Sequence, residues 1–337
     1  FATNATFAVM FADYLGFWIH LTFWTHWMVA LILIWGSTYI NFKGISFVGE
    51  SSIWMTALIL LPFIIMSILG IIHFNHNPFV PLVHPEKSTI SAIGESLMLA
   101  VWLYSGYDKI TVSAGEIENP RRNIPLALVI SIPLVALSYI IPTFAALAGS
   151  GQWADWKDSY FSTAAQLIGG PWLGHSMTLA ALISNALLLN ATMLAQSRLP
   201  IAMAKDKLFP QVFNRLHPRF GTPTISLIVG SVILSLLCVG SFTQLVAIYS
   251  VTQMLSYLLI YATFLKMRKL HPEIKSPFRI RGGTLGFLCM IFPAVCIAIF
   301  TLVKTDQLLL PALALLSGPV AYFAFREREL PALETVE

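Results

Sequence analysis

The chain has 337 residues, of which 57% are hydrophobic and only 11% are charged, and its mean hydropathy is +0.76. This composition excludes a soluble domain, which could not carry so much apolar surface, and predicts a polytopic membrane protein. The apolar runs are roughly 18 to 25 residues long and lack the alternation of barrel strands, so the predicted fold class is all-α integral membrane. The formal charge of +4 is weak grounds for an acidic partner, and we expect no nucleic-acid partner.

Ten candidate membrane spans follow in chain order, the first of them incomplete. Their predicted bounds are 1–18, 25–41, 52–73, 89–115, 124–148, 172–197, 223–240, 243–265, 284–303 and 308–325. The sequence begins without Met and inside an apolar segment that has no signal-peptide features, so we expect a fragment that lacks preceding residues. No segment is polar and long enough for a soluble domain, which makes 1–337 a single predicted membrane domain.

The connections between these spans alternate sharply in charge. Five alternate connections, including the C-terminal tail, hold 16 of the 20 Lys and Arg residues, whereas the opposite set holds only Lys87, Lys157 and Lys304. The positive-inside rule therefore places the basic set and the C-terminus in the cytoplasm. Outside, we expect a short interfacial helix around Ser162–Ile168, and inside, a short helix and turns in the segment that ends at Pro223.

The stretch "VWLYSGYDKITVSAGEIENPRRNIP", residues 101–125, interrupts an apolar helix with a glycine and two charges. Backbone can leave the helix at membrane depth only where it is buried in protein or lines a cavity, so we predict a helix broken near Ser105 and Gly106 around a ligand. In the alternative interpretation, the span simply ends near Tyr104, and Asp108 and Lys109 form a solvated pair.

Polar residues in two further spans have competing explanations. Ser250, Gln253 and Tyr257 share one helical face, which either lines a cavity or forms a hydrogen-bonded helix interface, and we include Ser250 and Gln253 among the candidate substrate contacts. Polar residues of span 172–197 do not share a face and favour helix packing; these are Ser184, Asn185, Asn190 and Thr192. Asp13 and Glu95 lie near outer span ends, where the expectation is that they reach water.

The sequence contains no enzyme motif. It has no nucleophile elbow, P-loop or CxxC pair, so we expect neither catalytic residues nor a cofactor. The histidines lack ligand spacing, which argues against a metal site. The three cysteines, Cys238, Cys289 and Cys296, lie in apolar runs and are expected to be buried thiols.

Four ordered motifs resemble the amino acid, polyamine and organocation permeases. "SGYDKITVSAGEIENPRRNIPLAL" resembles their sixth span, and "SRLPIAMAKDKLFP", "RFGTPTISL" and "HPEIKSPFRI" are similar to later family segments. The resemblance implies twelve spans in a five-plus-five inverted repeat with both termini inside. The chain would then begin in the third span, without the first two and the Gly-rich segment that holds the substrate carboxylate.

The resemblance also implies a substrate site around the break. Trp102 corresponds to an aromatic gate, and Asp108 stands where many members have Asn. The positions whose backbone would meet the substrate's amino group are Leu103, Tyr104, Ser105 and Gly106, with Tyr107 as the second aromatic of the motif. The fifth span lacks the lysine of many members, so the identity of a coupling ion, whether proton or sodium, stays open. The absence of Cys between residues 18 and 25 argues against a disulfide-linked partner subunit.

Three functional hypotheses follow from these observations. The leading one is a secondary active amino acid permease in a plasma or inner cell membrane that works by alternating access. The alternative is a transporter of polyamines or other cationic amines, which Asp108 favours because a buried carboxylate pairs with an ammonium group. The third is a non-transporting receptor or a channel on the same scaffold. In each, the expected partners are a small-molecule ligand and the lipid bilayer.

Overall fold

The computed structural model describes residues 1–44, 51–107, 117–151, 153, 156, 160–270, 286, 288, 291, 292, 295 and 309–325. This part of the chain is helical and contains no strand. Its helices in chain order are α1 (Ala2–Leu15), α2 (Phe23–Phe42), α3 (Ser51–Ile72), α4 (Thr89–Tyr104), α5 (Pro120–Ser150), α6 (Phe161–Gly169), α7 (Pro171–Ser197), α8 (Leu199–Lys205), α9 (Thr224–Leu237), α10 (Phe242–Leu270) and α11 (Leu309–Phe325). A 3₁₀ turn, Gln211–Asn214, follows α8.

The helices confirm the predicted all-α membrane fold class. Within the described residues, 5 helices are long and apolar enough to cross a bilayer, and shorter apolar helices match other predicted spans. The interfacial helix expected around Ser162–Ile168 is α6, and the short helix expected on the basic side is α8. The predicted span 284–303, with Cys289 and Cys296, lies almost entirely outside the described residues.

The chain forms two compact units, and the first contains Phe1–His76, Ala145–Leu245 and Ala312–Glu337. In this unit α7 is the central helix, because it packs against α1, α2, α3, α6 and α9. Its side chains Leu173, Met177 and Leu189 are fully buried. One face of α1 is lined by Ala5 and Ala8, whose complete burial shows that neighbouring helices approach closely where side chains are small.

The first unit also contains a close helix contact at Gly70 of α3. A Cβ atom added at Gly70 would overlap the backbone carbonyl of Ala145 in α5. The glycine therefore allows the two backbones to touch, which is how small residues contribute to helix association in membranes.

Polar side chains of α2 join it to later helices of the same unit. Asn41 donates to the side-chain oxygen of Asn190 on α7 over 3.0 Å, and the hydroxyls of Thr38 and Ser231 on α9 are 2.6 Å apart. Asn41, Thr38 and Ser231 are buried and Asn190 is partly buried, so few competing hydrogen-bond partners can reach these pairs. Asn190 thus mediates helix packing, as expected, whereas Asn185 donates to the carbonyl of Ala181 in its own helix.

The two acidic side chains expected to reach water each have a partner. The carboxylate of Asp13 on α1 lies 2.8 Å from the His26 ring of α2, and both side chains are about three-quarters buried. Glu95 of the second unit forms an ion pair with Lys87. The Glu95 side chain is 46% exposed and so can still reach water as expected, whereas Asp13 is mostly covered and bonds to His26.

The second unit contains Asn77–Phe144 and Val246–Pro311. Its main described helical parts are α4, residues 120–144 of α5, and residues 246–270 of α10. The hydroxyl of Ser250 on α10 is fully buried and donates to the carbonyl of Met98 on α4 over 2.8 Å. This bond fixes α10 beside the second half of α4, next to the predicted break.

Candidate functional site

Helix α4 ends where the sequence predicts an interruption. It begins at the cap residue Ser88, whose side chain accepts from the amide of Ser91, and it is only 16 residues long. Ser105 has extended backbone (φ −81°, ψ 164°), and Gly106 has φ of +100°, a conformation that L side chains rarely adopt. Helix α4 thus ends at Tyr104, as both the predicted break and the alternative of a span that simply ends there require. The predicted continuation of the span to residue 115, with Asp108, lies outside the described residues.

The last carbonyls of α4 face hydroxyl groups in place of helical amides. A helix leaves its last four carbonyls without intrahelical donors. Here the Ser105 hydroxyl donates to the carbonyl of Trp102 over 2.8 Å, and the hydroxyl of Tyr139 on α5 lies 3.4 Å from the carbonyl of Leu103. These bonds satisfy two of the carbonyls that the end of the helix leaves without amide donors.

The residue at the helix end is held by α10. The hydroxyl of Tyr249 donates to the hydroxyl of Ser105 over 2.7 Å. The next residue of α10, the buried Ser250, donates to the Met98 carbonyl, so consecutive residues of α10 contact the end of α4 and a position about two turns earlier. For Ser250 this geometry favours a role in a hydrogen-bonded helix interface over a role in lining a cavity. Gln253, on the same face of α10, is half-buried.

Tyrosine rings surround the break. Tyr107 stacks on Tyr257 of α10 with ring centroids 5.9 Å apart, and Tyr104 meets Tyr139 edge-to-face at 5.6 Å. Tyr104 and Tyr107 are each more than a third exposed. Aromatic faces and helix C-terminal carbonyls both carry negative potential, so the arrangement suits a positively charged group.

The structure brings most of the predicted site residues together. Positions 102–107 form one continuous segment, which Tyr257 contacts from α10 through Tyr107, whereas Ser250 contacts Met98 earlier in α4. Tyr139 and Tyr249 are neighbours that the sequence reasoning missed. The sequence does point to Tyr249, because this residue directly precedes Ser250, the first residue of the polar face of α10. Tyr139 lies in an apolar run that gives no indication of its role. Among the described residues, no group of His, Cys, Asp or Glu could hold a metal ion.

The fold and this segment define a polytopic helical membrane protein with a helix that ends inside an apolar run. A family model described as "Amino acid permease" matches residues 1–314, and the chain belongs to this family. The chain is 32% identical over 301 residues to the polyamine transporter RMV1 of Arabidopsis thaliana, covering 86% of this chain and 59% of the relative.

Two other relatives differ from each other in the substrate class that their names give. The polyamine transporter PUT1 of Oryza sativa subsp. japonica is 28% identical over 349 residues, which covers 97% of this chain and 62% of the relative. The branched-chain amino acid permease BcaP of Bacillus subtilis (strain 168) is 21% identical over 316 residues, 89% of this chain and 64% of the relative. The chain spans about three fifths of the length of the plant relatives that it matches.

Proposed function

We propose that the full-length protein is a secondary transporter of small cationic amines of the polyamine class. The observation that carries the proposal is the end of α4, where carbonyl groups and tyrosine rings meet at one point of the second unit. Such a surface stabilises an ammonium group through carbonyl dipoles and cation–π contacts, and it offers little to an anion. The substrate contacts are the backbone of residues 103–106 and the rings of Trp102 and Tyr107.

Asp108 completes this site as the residue that recognises a second positive charge. A carboxylate two residues after Gly106 would pair with an ammonium group and would cost several kcal/mol if it stayed unpaired in the bilayer. Ser250 and Gln253 act from α10, where Ser250 fixes the position of α4 through the Met98 carbonyl. The similarity to the polyamine transporters RMV1 and PUT1 favours polyamines over amino acids as the substrate class.

The second candidate is transport of amino acids, which the family description and the permease BcaP favour. Amino acids share the ammonium group but also carry a carboxylate. Residues beyond this chain's described segments would have to bind that carboxylate. In both cases the charge distribution supports a cytoplasmic C-terminus, and the substrate crosses one membrane domain by alternating access.

Uptake by the purified full-length protein in proteoliposomes tests the proposal. We expect concentrative uptake of radiolabelled spermidine under an imposed proton or sodium gradient, with weak competition by a panel of neutral amino acids. Asp108→Asn should raise the KM for spermidine by about tenfold or more, because a charge-assisted contact is lost. Asp206→Asn is the matched control, since Asp206 is exposed beyond α8.

The outcomes separate the three hypotheses. If spermidine uptake is absent while amino acid uptake survives Asp108→Asn, the polyamine proposal is wrong and the amino acid candidate replaces it. If a gradient drives no concentrative uptake of either class although labelled ligand binds, the protein is a receptor or channel.

A further inference from the structure

A basic pocket lies beside α8 in the first unit, away from the end of α4. Its volume is about 390 Å³, and one wall is formed by Arg198, Ile201, Ala202 and Lys205. These residues are spaced by three and four positions, so they share one face of α8 and its cap. Further lining residues are Asn214, the last residue of the 3₁₀ turn, and Leu216 from the segment after it. The pocket therefore combines two cations and an amide with an apolar floor.

The charges of this pocket lack counter-ions in the described structure. Neither Arg198 nor Lys205 belongs to the acid–base pairs found among the described residues, which join His26 to Asp13 and Lys87 to Glu95. The segment 198–223 contains five Lys and Arg residues but only one acidic residue, Asp206. Since like charges repel, this concentration of positive charge favours an anionic ligand.

Hydrogen bonds hold the walls of the pocket in place. Gln211 donates to the carbonyl of Ala204 over 2.6 Å, which ties the 3₁₀ turn to α8. The amide of His217 donates to the carbonyl of Thr222, and the Thr222 hydroxyl donates to the carbonyl of Phe42 at the end of α2. The pocket is thus built from a loop whose backbone is tied to α8 and to the end of α2.

Apolar side chains project beside these charges. Leu199 is 60% exposed and Leu216 is 53% exposed, although both lie in this basic segment. Exposed apolar groups next to Lys and Arg are typical of protein surface at the boundary of a bilayer. The positive-inside rule predicts the cytoplasmic boundary, where anionic lipids are abundant and basic pockets bind their headgroups.

We infer that this pocket binds the phosphate-bearing headgroup of an anionic membrane phospholipid. Arg198 and Lys205 contact the phosphate, the amide of Asn214 hydrogen-bonds to a headgroup oxygen, and Ile201 and Leu216 contact the first carbons of the acyl chains. The same cations could also attract a soluble phosphate. The apolar floor and the exposed leucines favour the lipid, because a soluble anion would gain nothing from them.

Native mass spectrometry of the purified full-length protein in detergent tests this inference. Phosphatidylglycerol and phosphatidylcholine with identical acyl chains are titrated separately, and inorganic phosphate is then added as a competitor. We expect the combined substitution Arg198→Gln and Lys205→Gln to weaken phosphatidylglycerol binding by about tenfold or more, because two cations near the membrane surface are removed. Phosphatidylcholine binding should stay unchanged.

Three variants complete the design. Arg215→Gln removes one positive charge from the same segment but not from the pocket lining, and it should change the affinity less than twofold. The single variants Arg198→Gln and Lys205→Gln should have intermediate affinities, which keeps the test decisive if the double variant does not fold. Unchanged phosphatidylglycerol binding in the singles and the double variant would overturn the inference. Displacement of the lipid by millimolar inorganic phosphate, without preference between the two lipids, would assign the pocket to a soluble phosphate.

Discussion

The hydroxyl of Tyr249 on α10 donates to the hydroxyl of Ser105 over 2.7 Å, at the residue where α4 leaves the helical conformation. Ser105 in turn donates to the carbonyl of Trp102. This chain of hydrogen bonds connects a side chain of one helix to the terminal backbone of another. The position at which α4 ends therefore depends on α10.

Removal of the Tyr249 hydroxyl should impair uptake more than folding. We expect Tyr249→Phe to lower the initial rate of substrate uptake by about fivefold, since one hydrogen bond is typically worth about 1 kcal/mol. Tyr39→Phe is the control, because the Tyr39 ring contacts Lys43 and retains that contact as phenylalanine. Equal uptake by Tyr249→Phe and Tyr39→Phe would mean that the bond does not position Ser105.

A side chain at Gly106 should strain the break without steric overlap. No heavy atom lies within 4 Å of an added Cβ, but φ is +100°. We expect Gly106→Ala to cost about 1–2 kcal/mol in this conformation and to reduce uptake. Gly36→Ala in α2 also meets nothing within 4 Å and keeps helical backbone, so thermal unfolding and uptake should match the wild type. A loss of uptake in both variants would mean that the protein is sensitive to alanine at any glycine, and that the backbone conformation of Gly106 is not the cause.

The pair Asn41 and Asn190 should stabilise the first unit measurably. We expect Asn41→Ala to lower the free energy of unfolding by about 0.5–1.5 kcal/mol, the range found for polar contacts between membrane helices. Thermal unfolding in detergent, with Asn190→Ala and the double variant, gives the coupling energy. Asn185→Ala should cost less, because Asn185 donates only to its own helix. Additive effects at 41 and 190 would exclude a direct contribution of the pair.

Gly70 should tolerate no side chain. An added Cβ would overlap the carbonyl of Ala145, and backbone cannot yield as a flexible side chain does. We expect Gly70→Ala to destabilise the protein by about 1–3 kcal/mol through forced separation of the backbones. Size-exclusion chromatography of the detergent extract should show less monodisperse protein. Gly318→Ala on α11 is the matched control, since its added Cβ meets nothing within 4 Å. A normal elution profile for Gly70→Ala would contradict the close contact.

The sequence predicted most helices because membrane spans are determined by local composition, as for α2 and α5. It also predicted an interruption at Gly106, and the structure shows the helix end there, since only glycine readily adopts this φ. The contacts of Tyr139 with Leu103 and of Tyr249 with Ser105 were not predictable. They join residues 36 and 144 positions apart, and such contacts depend on how each helix is rotated by its packing.

The polar groups of α2 have a consequence for the biogenesis of the protein. Their partners arrive much later in synthesis, since Asn190 follows Asn41 by 149 residues and Ser231 follows Thr38 by 193. In the interval each group can still donate within its own helix, Thr38 to the carbonyl of Ile34 over 2.7 Å and Asn41 to that of Ser37 over 3.0 Å. Because the assembled structure keeps both intrahelical bonds, helix α2 can enter the bilayer with these groups already satisfied and add the contacts to α7 and α9 afterwards.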